Sequence, residues 1–211
     1  MICAVPAHAG CGSRDYAYAG LLSSGSTRGV SATITALTVP RVTRGHVGGW
    51  IGVAAGATWL QIGLSAFPQD RTNHVYLEVA RPGRPPVYTT VRTTLPARQS
   101  HRFAVLELAG RPSWWQARLD GRAVGGPVHL AGSHGRWHAQ VTGESWNDGT
   151  GACNLYAYAF GRVALADEPG GAWRYLTGGR TFADAGYRLT WLTGSSFVAR
   201  SLRRPGGSNR A

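Results

Sequence analysis

Between residues 47 and 79 the chain passes three times through one pattern. Residues 47–53, 58–67 and 74–79 each alternate apolar side chains with glycine, aromatic or polar ones, and polar or glycine-rich turns separate them. Successive side chains of an extended strand point to opposite faces, so this alternation gives each strand two unlike sides. In residues 58–67, Leu60, Ile62 and Leu64 fall on one side, with Trp59, Gln61 and Gly63 on the other. In residues 74–79, Val75, Leu77 and Val79 oppose Tyr76 and Glu78. Three such segments joined by short turns predict an antiparallel sheet with one face committed to a core. The other face, carrying Gln61 beside Trp59, is where a binding or catalytic amide belongs.

The rest of the chain is punctuated in the same way. Residues 31–39, 87–95, 101–109, 114–119, 122–124, 137–145 and 156–164 read as strands, with two or three shorter ones between 173 and 199. Asp120-Gly121 is the strongest hairpin signal, because both central residues of that turn type need positive φ. The proline-rich residues 82–86 read as a loop, and a helical period persists nowhere. The expectation is an all-β antiparallel sandwich, a single domain over residues 29–200 with extra C-terminal strands from about 170. A chain of 211 residues can bury one such core. Residues 1–28, rich in Gly, Ser and Ala and unpatterned apart from Tyr16 and Tyr18, read as a leader or a processed or disordered segment. Residues 201–211 read as a disordered tail.

The formal charge of +12 invites a nucleic-acid partner, but all 22 basic residues are arginine and only Arg203 and Arg204 are adjacent. An electrostatic footprint would be clustered, so the distribution argues against nucleic acid. Of three cysteines, Cys3 precedes Ala7-His8-Ala9, which has the small-residue form of a signal-peptide end without the charged and apolar regions before it. Cleavage there would leave Cys11 and Cys153 as an even pair able to form one disulfide in a secreted protein; the alternative is three free thiols in a reducing compartment. No apolar run reaches the length of a transmembrane helix. The chain is expected to act as a monomer.

Only ten residues are acidic. Asp70, Asp120, Asp148, Asp167, Glu168 and Asp184 lie in turn-like surroundings that explain them. Glu78, Glu107 and Glu144 lie within strands, where a solvated outer face is the ordinary position. Glu144 stands out because it ends a strand, shares a face with Gln140 and Thr142, and precedes Ser145-Trp146-Asn147. No metal pattern is present: His129, His134 and His138 are separated by glycine-rich turns, and His46, His74 and His101 stand alone. Neither a serine-hydrolase elbow nor a phosphate loop leading into a helix occurs. No cofactor is implied.

The ordered set Trp50-Ile51-Gly52, Trp59-Leu60-Gln61-Ile62-Gly63-Leu64, Val75-Tyr76-Leu77-Glu78 with Pro82, and Ala139-Gln140-Val141-Thr142-Gly143-Glu144 resembles the glutamic peptidases, or eqolisins. Those enzymes carry a W-V-G strand, an L-Q-T-G-V strand with the catalytic glutamine, a W-Y-E-W-x-P strand, and A-E-W-I-x-E ending in the catalytic glutamate. The resemblance spans residues 31–163 and implies a concanavalin-like, jelly-roll β-sandwich with Gln61 and Glu144 side by side as a catalytic dyad. The chain departs from the family at Val53-Ala54, where the family has aspartate, and at Gln140 and Val141. It is also strongly basic, whereas the family acts at acid pH and is poor in basic residues.

Two functions follow as expectations. In the first, a secreted endopeptidase acts on a polypeptide substrate, with Glu144 as base and then acid and Gln61 as oxyanion donor. Trp50, Trp59, Glu78 and Trp146 would line its substrate site, Glu78 being either a support for the dyad or a structural acid. In the second, the same face binds carbohydrate without catalysis, stacking it on Trp50, Trp59, Trp137 and Trp146. A glycosidase would need two carboxylates at a set separation, for which Glu78 and Glu144 are the candidates.

Overall fold

The computed structural model describes residues 16–150, 152–177 and 179–202. Fifteen strands run through them: β1 (Tyr16–Ser26), β2 (Gly29–Ala36), β3 (His46–Ala55), β4 (Thr58–Ala66) and β5 (Asn73–Arg81) come first. Then follow β6 (Arg84–Leu95), β7 (Ser100–Glu107), β8 (Trp114–Leu119), β9 (Arg122–His129) and β10 (His138–Trp146). The last are β11 (Ala157–Ala166), β12 (Trp173–Tyr175), β13 (Arg180–Ala183), β14 (Tyr187–Thr193) and β15 (Ser196–Ser201). They form a seven-stranded sheet in the order β13-β1-β10-β3-β4-β5-β6 and an eight-stranded sheet in the order β14-β15-β11-β2-β7-β8-β9. The strand β12 pairs with β11 outside that order. The architecture is an all-β sandwich of two antiparallel sheets.

The aliphatic positions of the alternation make the core. Ile51, Val53, Leu60, Ile62, Leu64, Val75 and Val141 of the first sheet pack in one cluster with Ile34, Phe103, Val105, Trp115, Tyr158 and Phe160 of the second. Each large side chain removed from water in this way contributes about 2 kcal/mol. The layers approach closely at Gly49, where an added Cβ would lie 2.6 Å from the Tyr158 ring, and at Gly143, where it would lie 2.5 Å from the Tyr156 ring. Asp120-Gly121 forms the expected turn between β8 and β9, with φ values of 49° and 80°.

Several expectations are corrected. Residues 16–26, read as part of a leader, form β1, which lies between β10 and β13 and buries Ala17, Ala19 and Leu21. Its small residues are a condition of that position: a Cβ on Gly20 would sit 2.4 Å from the Val141 carbonyl oxygen. Tight packing selects against the β-branched side chains by which a strand is read from sequence. Residues 84–86, read as loop, begin β6, an edge strand whose register against β5 shifts between Val79 and Arg81, so that Pro85 and Pro86 fall at a bulge where the ladder is already interrupted. Ser201, read as tail, ends β15, while residues 203–211 lie outside the described residues. No helix among the described residues is long and apolar enough to cross a membrane.

Candidate active site

The face of the first sheet turned away from the core carries a groove of about 480 Å³. Its central wall is β3, flanked by β4 and β10. Register decides what meets there. Gln61 on β4 lies opposite Gly52 on β3 and opposite Glu78 on β5, and Gly52 is in turn paired with Gln140 on β10. Four residues further along β10, Glu144 lies opposite Gly48 on β3 and Tyr18 on β1. Gln61, Glu78, Glu144, Trp50, Trp59 and His46 all line the groove.

Glu144 is 6% exposed, and both its oxygens are engaged. His46 Nε2 lies 2.9 Å from Oε1, and the Trp50 indole N–H donates to Oε2 at 3.0 Å. A carboxylate accepts more than one bond per oxygen, so lone pairs remain for a water or substrate in the groove. Gln61, 7% exposed, donates from Nε2 to the Tyr76 hydroxyl at 3.1 Å. That hydroxyl lies toward Gly48, 3.8 Å from where a Cβ there would stand, and so between the Gln61 and Glu144 rows. Burial first, and then the charges of Glu144 and Glu78, push the Tyr76 hydroxyl well above the ordinary tyrosine range, which keeps it a neutral group. Tyr88 of β6 stacks on Tyr76 with ring centres 5.0 Å apart and exchanges a 2.7 Å hydrogen bond with Ser65.

Glu78 is half-buried and accepts the Trp59 indole N–H at 2.9 Å. Burial raises its carboxyl above the usual glutamate range; the Trp59 bond opposes this, the charge of Glu144 adds to it, and His46 acts against it. Gln61 and Glu144 therefore share one groove, each anchored by its own partners, and no hydrogen bond joins them among the described residues. Trp146 is not among the residues that line the groove; its ring stands 6.1 Å from Tyr16 and 5.5 Å from His46, which do line it. Trp137 does not belong to this face: it is 4% exposed and stacks on Trp115 in the core.

His46, Tyr76 and Tyr18 are site residues that sequence reasoning missed. His46 falls one position before the start predicted for its strand, but residues 46, 48, 50 and 52 share one face by simple alternation. Glu107, for which a solvated face was the ordinary expectation, is instead fully buried. It accepts the Ser113 N–H at 2.6 Å and pairs with His134 Nδ1 at 2.8 Å and Arg28 at 3.3 Å. His74 and His101, lone in sequence, pair with Asp70 and Asp120 at 2.8 Å and 2.7 Å. Among the described residues no group of three or more His, Cys, Asp and Glu side chains could hold a metal ion. Cys153 is disulfide-bonded, and Cys11, its expected partner, lies outside the described residues.

No protein-family model matches the sequence, and no curated protein matches it. In three dimensions the chain is similar to scytalido-glutamic peptidase bound to a peptide-based transition-state analogue. The TM-score is 0.66 at 16% identity, covering 88% of this chain and 98% of that one. It is similar also to SCP-B, a member of the eqolisin family solved with the tripeptide Ala-Ile-His, with a TM-score of 0.60 at 17% identity and the same shares of each chain. At this identity the likeness shows a shared fold, the concanavalin-like sandwich of the glutamic peptidases.

Proposed function

We propose that the groove hydrolyses peptide bonds, with Glu144 as general base and Gln61 as oxyanion donor. One observation carries the reading: a glutamine and a glutamate, each more than nine-tenths buried and each fixed by its own partners, line opposite sides of the same groove. Anchoring matters because a catalytic group does most when it is held before the substrate arrives. A water beside Glu144 gives up a proton to a carboxylate lone pair and attacks the scissile carbonyl. The carbonyl π electrons move to oxygen, which takes up negative charge. Gln61 meets that charge with the amide N–H not given to Tyr76, and its carbonyl oxygen holds the attacking water. The fold shared with glutamic peptidases supports this reading, as does the groove of about 480 Å³ that both side chains line.

The test is digestion of a denatured protein mixture from acid to neutral pH by wild type, Glu144→Gln and Gln61→Ala. Removing one oxyanion donor costs about a hundredfold or more in rate, and removing the base should cost at least as much. Cleavage that survives both substitutions in folded protein would reject the dyad. The ring of Tyr16, which lines the groove, is 40% exposed and stacks on Trp146, favours glycan as the second ligand class. Folded wild type that binds oligosaccharides and cuts nothing would establish that reading instead.

A further inference from the structure

Breaking a peptide bond requires a second proton transfer. The C–N bond parts readily only when the leaving nitrogen is protonated, and an enzyme that uses one carboxylate for both transfers must turn it from acceptor to donor within a turnover. The groove contains a second carboxyl group. Glu78 is the direct cross-strand neighbour of Gln61, which puts their Cβ atoms about 5 Å apart. It lines the same groove as Glu144, and Trp59 fixes its Oε1 from the side. Its Oε2 has no protein partner among the described residues. The polar and titratable groups around it are Gln61 on β4, Tyr76 on its own strand, Tyr88 opposite it on β6, and Glu144 and His46 across the groove.

Resting on the hydrolase reading above, we propose that Glu78 is the proton donor to the leaving amine and that Glu144 serves only as acceptor of the water's proton. In the first step the water oxygen bonds to the carbonyl carbon, its proton goes to Glu144, and the π pair goes to the carbonyl oxygen. In the second, that pair re-forms the C=O bond, the C–N pair leaves with nitrogen, and nitrogen takes the proton from Glu78. Glu144 then holds a proton and Glu78 is ionised, and exchange with solvent restores both. The environments differ. Glu144 is held at both oxygens, by His46 Nε2 at 2.9 Å and by the Trp50 indole N–H at 3.0 Å. Glu78 has one such donor and a carboxyl raised chiefly by burial, so it keeps its proton into a less acid range than an ordinary glutamate.

The discriminating experiment compares a peptide with a p-nitrophenyl ester of the same acyl segment, whose leaving group needs no proton. Glu78→Gln should lower kcat for the peptide by about a hundredfold. The ester kcat should stay within about threefold of wild type, since only the protonation step is removed. The alkaline limb of the wild-type peptide profile should be missing from the ester profile. Equal losses on both substrates, or no loss on either, would overturn the proposal while leaving the dyad standing. So would an alkaline limb for the peptide that survives in Glu78→Gln, a criterion that applies even if the wild type ignores the ester. A wild type that cuts neither substrate removes the hydrolase reading and this one together. Should Glu78→Gln not fold, Glu78→Asp keeps the charge, withdraws the carboxyl by one methylene, and must show the same split between substrates.

Discussion

Two glutamates, Glu107 at the end of its strand and Glu144 two residues before the end of its own, lie buried in opposite sheets, each with a histidine within 2.9 Å. Glu107, on β7, is closed in. A backbone N–H, Arg28 and His134 take up its oxygens, and its side chain has no exposed surface. Glu144, on β10, is held by the His46 ring nitrogen and the Trp50 indole N–H and faces a groove of about 480 Å³. The difference is what surrounds the unused lone pairs. Glu107 ties the β7–β8 connection and the loop carrying His134 to the β1–β2 turn, whereas Glu144 is aimed at space a substrate can enter. A buried glutamate–histidine pair therefore does not mark a site; an anchored carboxylate beside open volume does.

The sharpest way to break the contrast is to neutralise each carboxylate. Glu144→Gln should abolish hydrolysis, a loss of about a hundredfold or more. Glu107→Gln should leave kcat and KM near wild type but lower the unfolding free energy by about 3 kcal/mol, because Arg28 loses its anionic partner beside a buried network. Urea denaturation of both variants checks the second half. Glu144→Gln should cost less than about 1 kcal/mol, since His46 is partly exposed and can turn to water. Equal destabilisation by the two would erase the distinction drawn here.

A smaller effect sharpens the same contrast from the Gln61 side. Tyr76→Phe keeps the ring that stacks on Tyr88 and removes only the hydroxyl that accepts the Gln61 amide. The freed amide should sample other orientations, lowering kcat about tenfold with KM unchanged, equivalent to about 1.4 kcal/mol of transition-state stabilisation. Tyr88→Phe, which takes a hydroxyl from the same stack without touching Gln61, should leave kcat alone. A parallel fall in both variants would mean that the stack, not the hydrogen bond, holds the amide.

Much of this arrangement was legible in the sequence wherever period two was carried by large side chains. Leu60, Ile62 and Leu64 face the core and Gln61 faces away, and β8 has the predicted bounds. The reading failed where neighbours dictated the residue. β1 is hidden because its packing demands alanine and glycine. Trp137 looked like a surface ring and is core, since it fills the space beside Trp115 at the entry to β10. The partners of Glu144 and Glu107 were out of reach for another reason. His46 lies 98 residues from Glu144 and His134 lies 27 from Glu107, and only sheet topology brings such residues together.

The mildest prediction concerns Glu78 and the pH dependence of folding. Its carboxyl is raised above the ordinary value of 4.5 in the folded chain, so between that value and the folded one the native state keeps a proton that the unfolded chain has released. Stability then falls as pH rises through this window: the contribution is complete below the unfolded value and is lost above the folded one. Glu78→Gln has no proton to lose. Its stability relative to wild type should therefore rise from acid to neutral pH, while groups unchanged in both proteins cancel. One such group is Asp120, whose carboxyl burial pushes up but His101 and the Arg102 N–H hold below its ordinary range overall. Urea titrations of the two proteins on either side of the window measure the gap directly. A gap that stays constant with pH would place Glu78 in contact with solvent and make it as ordinary an acid as Glu107 is a closed one.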